Sequence, residues 1–452
     1  MTATQFLVFI IYLILFLAGS FTVIYLWNKV KKTYLSMIRA DFYSKQNYNL
    51  FEISIPRGQS KSPLAMEVFL NSLHQPFGEG SFKDIWIKGS TKPWFTLELV
   101  SIEGHVRFYI WTNEKFSNMI QTQLYAQFPT IGIKEIYQGD YKNDYVAAIE
   151  YDVSKYKFSC SEFKKKNAGH LPIKTYTDYG LDKDPKEEFK IDPITPVLEY
   201  LGSLGVGEQA WIQIGVRAPG KDTDKKFPTD PKELEKFKKD NKLKWYHNSL
   251  KVDWTDGAKE DIKKLTKRDK KVDQENPSNP AEMKLTKQEM DKVDAVERGL
   301  TKLAFDTCIR VIYLAKKDVF SPANSSGLTG VFKQYNTQHM NSFESKSPVV
   351  KYDIQDKSGL RVEADKKKIF DQYKARSFFY PQFIPIGASS HSTAWKTNQF
   401  KLHKDKYEPT KPFIMTIEEL ATIFHFPGDT ATTSNVSRIE AKKVEAPSNL
   451  PI

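Results

Sequence analysis

The chain has 452 residues, and 67 Lys and Arg against 55 Asp and Glu leave a formal net charge of +12. Hydrophobic residues make up 40% and aromatic residues 13%, enough apolar side chain for real cores, so a wholly disordered chain is excluded and two or three folded units are expected. Cys160 and Cys308 are the only cysteines, which excludes a disulfide framework or a four-thiolate metal site; no collagen, heptad or solenoid period is visible.

From Phe6 to Trp27 the sequence FLVFIIYLILFLAGSFTVIYLW runs for 22 residues without a charge. As a helix it spans about 33 Å, against a bilayer hydrocarbon core of roughly 30 Å. Tyr25 and Trp27 suit a headgroup layer, and Lys29, Lys31, Lys32 and Arg39 follow at once while no Lys or Arg precedes. The expectation over residues 1–40 is a single transmembrane helix of the cytoplasmic membrane, N-terminus outside and the bulk of the chain cytoplasmic. Lys29, Lys31, Lys32 and Arg39 are its membrane-orienting residues, and membrane lipid is an expected partner. A cleaved signal peptide would need a basic leader and a shorter apolar core, and a buried core helix is rarely apolar all round.

Residues 41–140 predict a β-α-β-β-α-β order. Phe51, Ile53 and Ile55 alternate with polar residues as in a half-buried strand. Ser62-Pro63 then opens a helix carrying Met66, Phe69, Leu70 and Leu73 on one face. Phe95–Ile102 and His105–Trp111, separated by Glu103-Gly104, read as a tight hairpin. A second helix through Met119, Ile120 and Leu124 stops at Pro129, and a last strand carries Ile131 and Ile133. This is the ferredoxin-like pattern.

Residues 141–345 predict a second such unit. Tyr145–Val153 is its first strand, Val197, Leu198 and Leu201 mark a helix after Asp192-Pro193, and Ala210–Arg217 and Thr307–Ala315 are strands. A helix through Val293 and Val296 and another through Leu328 and Tyr335 complete it. A charged insertion, residues 218–290, separates its second strand from its second helix and reads as exposed mixed-charge helices, either a solvated arm or an arm that docks on a partner or an anionic polymer. Residues 346–452 read as an irregular, proline-punctuated region with one short helix near Thr416–Phe424. The fold class expected is α+β: a transmembrane helix, two ferredoxin-like units and a strap-like tail.

Catalytic motifs are not found. No phosphate-binding G-x-x-x-x-G-K-[ST] occurs, and Gly202, Gly205 and Gly207 are followed by Glu208 and Gln209 rather than Lys and Ser/Thr. H-E-x-x-H, C-x-x-C and G-x-S-x-G are absent, and the eight histidines are scattered. No catalytic, cofactor-binding or metal-ligating residue is assigned, and the chain reads as a non-enzyme. On strand HVRFYIW, Val106, Phe108 and Ile110 would face the helices and leave Arg107, Tyr109 and Trp111 on an open face as a candidate interface. Stacking of RNA bases there lacks the glycine pattern of that motif, so core packing or a subunit contact is favoured.

Several stretches resemble the N-terminal, non-ATPase region of bacterial conjugation-type ATPases of the type IV secretion and HerA-like superfamily. They are Phe51–His74, Trp94–Thr112, Leu124–Glu135, Asp192–Arg217 and Cys308–Ala315, with Phe424–Asp429 and Ala446–Pro451 in the tail. The resemblance implies a membrane-anchored accessory subunit of a secretion or conjugation apparatus, partnering a separately encoded HerA-like ATPase; bare sheet edges that pair readily with a neighbour's edge strand add a homo-oligomer to the expected partners. A membrane-tethered nucleic-acid-binding module is the alternative, and a membrane enzyme with an unrecognised site is a third reading.

Overall fold

A computed structural model describes residues 3–56, 62–79, 81–136, 143–182, 192–219, 254–267, 285–348, 356, 358–380, 410–428 and 438–439. Helix α1 (Ala3–Ser44) leads into strand β1 (Tyr48–Pro56), α2 (Pro63–Ser72) and the short α3 (Phe82–Trp86). Strands β2 (Trp94–Ile102) and β3 (His105–Asn113) follow as a hairpin, then α4 (Ser117–Gln127) and β4 (Gly132–Glu135). The hairpin turn places both Glu103 and Gly104 at positive φ, the two-residue geometry that matches strand twist. Gly104 cannot be replaced cheaply there, because a Cβ would lie 2.7 Å from the Leu204 carbonyl oxygen.

The second half runs β5 (Tyr156–Lys165), α5 (Thr195–Gly202), β6 (Glu208–Arg217), α6 (Trp254–Lys267), α7 (Lys287–Leu300), β7 (Ala304–Lys316), α8 (Pro322–Gly330) and β8 (Phe343–Lys346). Helix α9 (Leu360–Lys374), β9 (Phe413–Thr416), α10 (Ile417–Ile423) and the two-residue β10 (Arg438–Ile439) close it.

The described strands join one sheet in the order β10-β1-β3-β2-β6-β7-β5-β8, with β4 also on β1 and β9 also on β7. This corrects the expectation of two separate ferredoxin-like units. Strand β2 pairs along its length with β6, from Trp94 opposite Arg217 to Ile102 opposite Gln209, antiparallel, so the halves share a sheet. The reason lies in the strands themselves: β2 and β6 are buried almost throughout, and an unpaired edge of that character must be covered. Apart from β10, which pairs parallel with β1, the ladders are antiparallel.

Among the described residues no helix is long and apolar enough to cross a membrane. This corrects the single-pass anchor, its N-outside orientation and its placement at the cytoplasmic membrane. Asn28, Lys29, Lys31 and Arg39 lie in the same helix and interrupt its apolar run. The helix does not stop at Trp27 but continues to Ser44, and Tyr43 is buried in the body. Lys29, Lys31, Lys32 and Arg39 therefore lose their membrane-orienting role; Lys31 lies over the Trp86 ring, and Arg39 pairs with Glu79 at 3.1 Å.

Three further expectations change. Tyr145–Ala148 is a turn of 3₁₀ helix, and the strand comes later, at Tyr156, because Asp144 caps the Val146 N–H and starts a turn. The C-terminal region is less irregular than its prolines suggested. Helix α9 covers one face of the sheet, β9 pairs with β7 from Ala304 opposite Thr416, and α10 is buried at every position, with Thr416 and Glu419 forming its capping box. In the charged insertion, α6 docks on the body: Ala258 and Val296 pack with Leu171, and His170 Nε2 lies 2.8 Å from Asp261 Oδ2. The charged run Lys232–Lys242, Arg268–Asp273 and the tail motif Ala446–Pro451 lie outside the described residues.

The sheet carries a core on each face. One face holds Phe51, Leu97, Phe108, Ile212 and Ile309 against α2, α4, α5 and α10. The opposite face holds Trp94, Tyr109, Trp111, Trp211 and Leu314 against the end of α1 and α9.

Candidate docking surface and its buried anchor

One row of side chains crosses the aromatic face of the sheet from edge to edge. Register places Lys134 opposite Glu52, Glu52 opposite Tyr109 and Tyr109 opposite Glu98. It continues with Glu98 opposite Gln213, Gln213 opposite Arg310, Arg310 opposite Glu162 and Glu162 opposite Lys346. Directly opposed residues share a face, so seven strands each contribute a polar side chain at this level, and β4 an eighth. In its centre Glu98, Gln213, Arg310 and Glu162 are fully buried, an arrangement that costs several kcal/mol per charge unless each is paired.

The pairing comes from the chain beyond α9. Arg376 reaches back over the sheet and donates from Nε and Nη2 to the two oxygens of Glu98 at 2.8 and 3.0 Å. Its Nη1 donates to Asp144 Oδ2 at 2.7 Å. Burial alone would raise the Glu98 pKa, but the Arg376 charge and bonds from Arg376, Thr96 and Gln213 hold it below the ordinary glutamate value. Tyr145 donates to Glu98 Oε2 at 2.8 Å, and its own hydroxyl is driven well above the usual phenol pKa by burial and by the Glu98 charge. Next along the row, Arg310 donates to Glu162 Oε1 at 2.9 Å and lies 4.2 Å from the Phe378 ring centroid. The row clamps the α9 segment onto the sheet.

Of the expected interface residues, Tyr109 and Trp111 are buried. Tyr109 stacks on Tyr145 at 5.0 Å, and Trp111 on Tyr48 at 4.6 Å; burial and the Glu52 charge push the Tyr109 hydroxyl up to about 12. Arg107 is half-exposed and pairs with Glu52 at 3.6 Å. The strand face expected to be open is covered by the chain's own aromatic residues, and the three residues do not form one exposed surface.

A second polar network holds α10 on the opposite face. Lys165 meets Glu419 at 2.6 Å, Lys302 bridges Glu67 and Glu418 at 2.9 and 2.8 Å, and Tyr176 donates to Glu67 at 2.6 Å. His425 has Nδ1 2.7 Å from the Ala421 carbonyl and Nε2 2.8 Å from Asp192 Oδ1; a carbonyl only accepts, so Nδ1 donates.

The exposed feature of note lies where α1 leaves the body. Trp27, Val30, Lys31 and Tyr34 on α1 face Phe82 and Trp86 of α3 across a cleft of about 350 Å³. Phe82 is 72% exposed, Trp27 67% and Ile87, just after α3, 64%. Ser81 and Asp84 cap α3 reciprocally, Phe82 stacks on Trp86 with centroids 6.1 Å apart, and Tyr34 donates to the Trp86 carbonyl at 3.0 Å. Lys31 Nζ sits 4.9 Å from the Trp86 centroid. Gly89 lets α3 sit this close to α1: its φ is +62°, and a Cβ would fall 2.4 Å from the Ile38 carbonyl oxygen.

The base of α1 is rigidly seated. Tyr43 meets Trp94 edge-on at 5.9 Å, Trp94 Nε1 donates to the Arg376 carbonyl at 3.0 Å, and Arg39 lies over Tyr380 at 5.1 Å. The ledge on α1 and α3 thus rests on the same segment that carries the Arg376 clamp. Sequence reasoning missed the ledge because Phe82 and Trp86 fall in an unassigned stretch between α2 and β2, and missed Arg376 because it lay in the region read as irregular.

These features define an α+β protein built on one continuous sheet, with paired buried charges inside and an aromatic ledge outside. Residues 43–439 match the family described as a domain of unknown function, DUF8128, and the chain belongs to that family. No curated protein matches the chain. The matched range begins at Tyr43, so it takes in Phe82 and Trp86 and leaves out the α1 side of the cleft.

Proposed function

We propose that the chain is a non-catalytic docking subunit that engages a protein partner through the ledge of Trp27, Val30, Tyr34, Phe82, Trp86 and Ile87. The observation that carries this reading is the exposure of large aromatic side chains together on a well-seated support. Exposed apolar patches with Trp and Tyr at their centre are characteristic of interaction sites, and a surface that does not reorganise on binding spends less of its contact energy on ordering. A structural role for the buried ionisable groups is supported by their pairing: Glu98, Asp144, Glu162 and Glu419 each face a cation. The resemblance to conjugation-type ATPases supplies the partner class to look for, a separately encoded ATPase.

The test is crosslinking and capture of the full chain in cells that express it natively, in parallel with Phe82→Ala and Trp27→Ala. The reading expects the wild type to retain an ATPase that both variants lose at unchanged expression. Identical captured species from wild type and variants would overturn it.

A further inference from the structure

The chemistry of the ledge narrows what can dock there. Its floor is apolar and aromatic, but its flanks are basic: Lys31 of α1 lines the cleft, Lys83 follows Phe82 on α3, and both are exposed. Between Ser20 and Ala40 the sequence of α1 contains no Asp or Glu. The carboxylate on the α3 side of the rim, Asp84, is engaged by Ser81 and by Lys88 at 3.0 Å, and these contacts depress its pKa. A second copy of this chain set face to face would bring lysine against lysine, which like-charge repulsion disfavours, and the chain as a whole carries +12. A cleft of about 350 Å³ is at the lower end of ligand-sized sites, fit for a few large apolar side chains rather than a whole domain.

Resting on the docking reading, we infer that the ledge takes an acidic amphipathic helix of a partner protein. Apolar residues at i, i+3, i+4 and i+7 fill the cleft between Trp27, Phe82 and Trp86, and Glu or Asp beside that stripe face Lys31 and Lys83. Helix-in-groove recognition of this kind takes its affinity from the apolar anchors and its orientation and selectivity from the flanking charge.

Two labelled helical peptides with the same leucine stripe, one with Glu and one with Lys on the polar face, test this against the full chain by fluorescence anisotropy. The Glu peptide is expected to bind about tenfold or more tighter than the Lys peptide and to weaken as salt rises. Phe82→Ala should abolish that binding, and the double reversal Lys31→Glu, Lys83→Glu should transfer the preference to the Lys peptide. Equal binding of both peptides, or a preference unmoved by the reversal, overturns the inference. Binding to phosphatidylserine-containing vesicles that Phe82→Ala removes, with no peptide bound, overturns it in favour of a lipid surface. If the Glu peptide fails while Phe82→Ala still loses its crosslinked partner, the acidic helix falls and the docking reading stands; if capture is also unchanged, both fall.

Discussion

Replacing Arg376 by alanine removes the guanidinium that ties the turn after α9 to Glu98 in the middle of the sheet, and leaves Glu98 and Asp144 buried on its former line of contact. Both carboxylates lie within 2.8 Å of it, and Arg376 and Glu98 have side-chain exposures of 2% and 0%. Breaking a buried pair by deleting one partner costs about 3–5 kcal/mol, because the orphaned charge stays buried; with two orphans the upper part of that range is expected. Alanine also keeps a Cβ at the positive φ of 51° seen at this position, so the change isolates the charge rather than relieving the backbone. The assay is urea unfolding of the full chain, with the shift in midpoint converted through the common slope. The sign of the pH dependence adds a second check. In the wild type the Glu98 pKa is lowered, so its contribution is present above the ordinary glutamate value and is lost as pH falls through the lowered one. In Arg376→Ala, burial without a countercharge raises the Glu98 pKa, so protonation relieves the variant first. The gap between the two proteins should therefore narrow between about pH 7 and about pH 5. A loss under about 1 kcal/mol, or a gap that widens on acidification, would refute the reasoning.

The other expectations concern separate parts of the molecule. Gly89→Ala forces a side chain into a left-handed position against the Ile38 carbonyl and should cost about 1–3 kcal/mol, with faster hydrogen exchange confined to α3 and the adjoining turns of α1; uniform acceleration through β6 and β7 would count against a local effect. Burial works to raise the Asp192 pKa, but the His425 charge and hydrogen bonds bring it below the usual aspartate value. Its stabilisation is thus present above the ordinary aspartate pKa and lost as pH falls through the lowered one, and Asp192→Asn should flatten the acid limb of the stability curve; an unaltered limb would refute the assignment. Phe82→Ala changes a 72% exposed residue and should move stability by no more than about 0.5 kcal/mol while removing partner capture. His170→Ala breaks the partly buried contact to Asp261 at the docking of α6, which should leave global stability nearly unchanged but speed proteolytic cleavage within α6, scored by mass spectrometry of the nicked chain.

What the sequence disclosed followed from period. Alternation in β1, the Ser62-Pro63 helix start and the Glu103-Gly104 turn each encode a local geometry, and Thr416 with Glu419 encodes the start of α10. The seam between β2 and β6 left no such local mark, because pairing of distant edges depends on what else could cover them. The polar row did leave one, in retrospect. Glu98 in FTLELV and Arg310 in CIRVIY are the one charged residue of each run, and Gln213 is the one amide in WIQIGV; such a residue in a strand buried on both faces demands a partner. What no period could show is that the partners arrive from the turn after α9 and from Asp144. The ledge was illegible for the opposite reason: α3 is five residues long, too short to display a helical stripe.

The placement of the clamp bears on how a docked partner is held. A load on Trp27 or Tyr34 is carried down α1 to Tyr43, whose ring abuts Trp94 and Tyr380. Trp94 is hydrogen-bonded to the Arg376 carbonyl, and Tyr380 donates to Glu79, the same carboxylate that accepts from Arg39. Each link is a packed ring or a hydrogen bond, and the series ends at the Glu98 carboxylate fixed in the centre of the sheet. Such a connected set is a route for coupling only where some element along it has two arrangements. Measuring partner affinity in a milder clamp variant, Arg376→Lys, would separate the alternatives. Lysine keeps the charge but cannot fork to two carboxylates, so the clamp loosens without leaving the site uncompensated. If the ledge merely sits on a rigid base, affinity should stay within about twofold of wild type, about 0.4 kcal/mol and so below the roughly 0.5–2 kcal/mol range of mutational coupling effects. A larger drop, with stability still sufficient for folding, would mean that the seating of α1 is part of the binding surface itself.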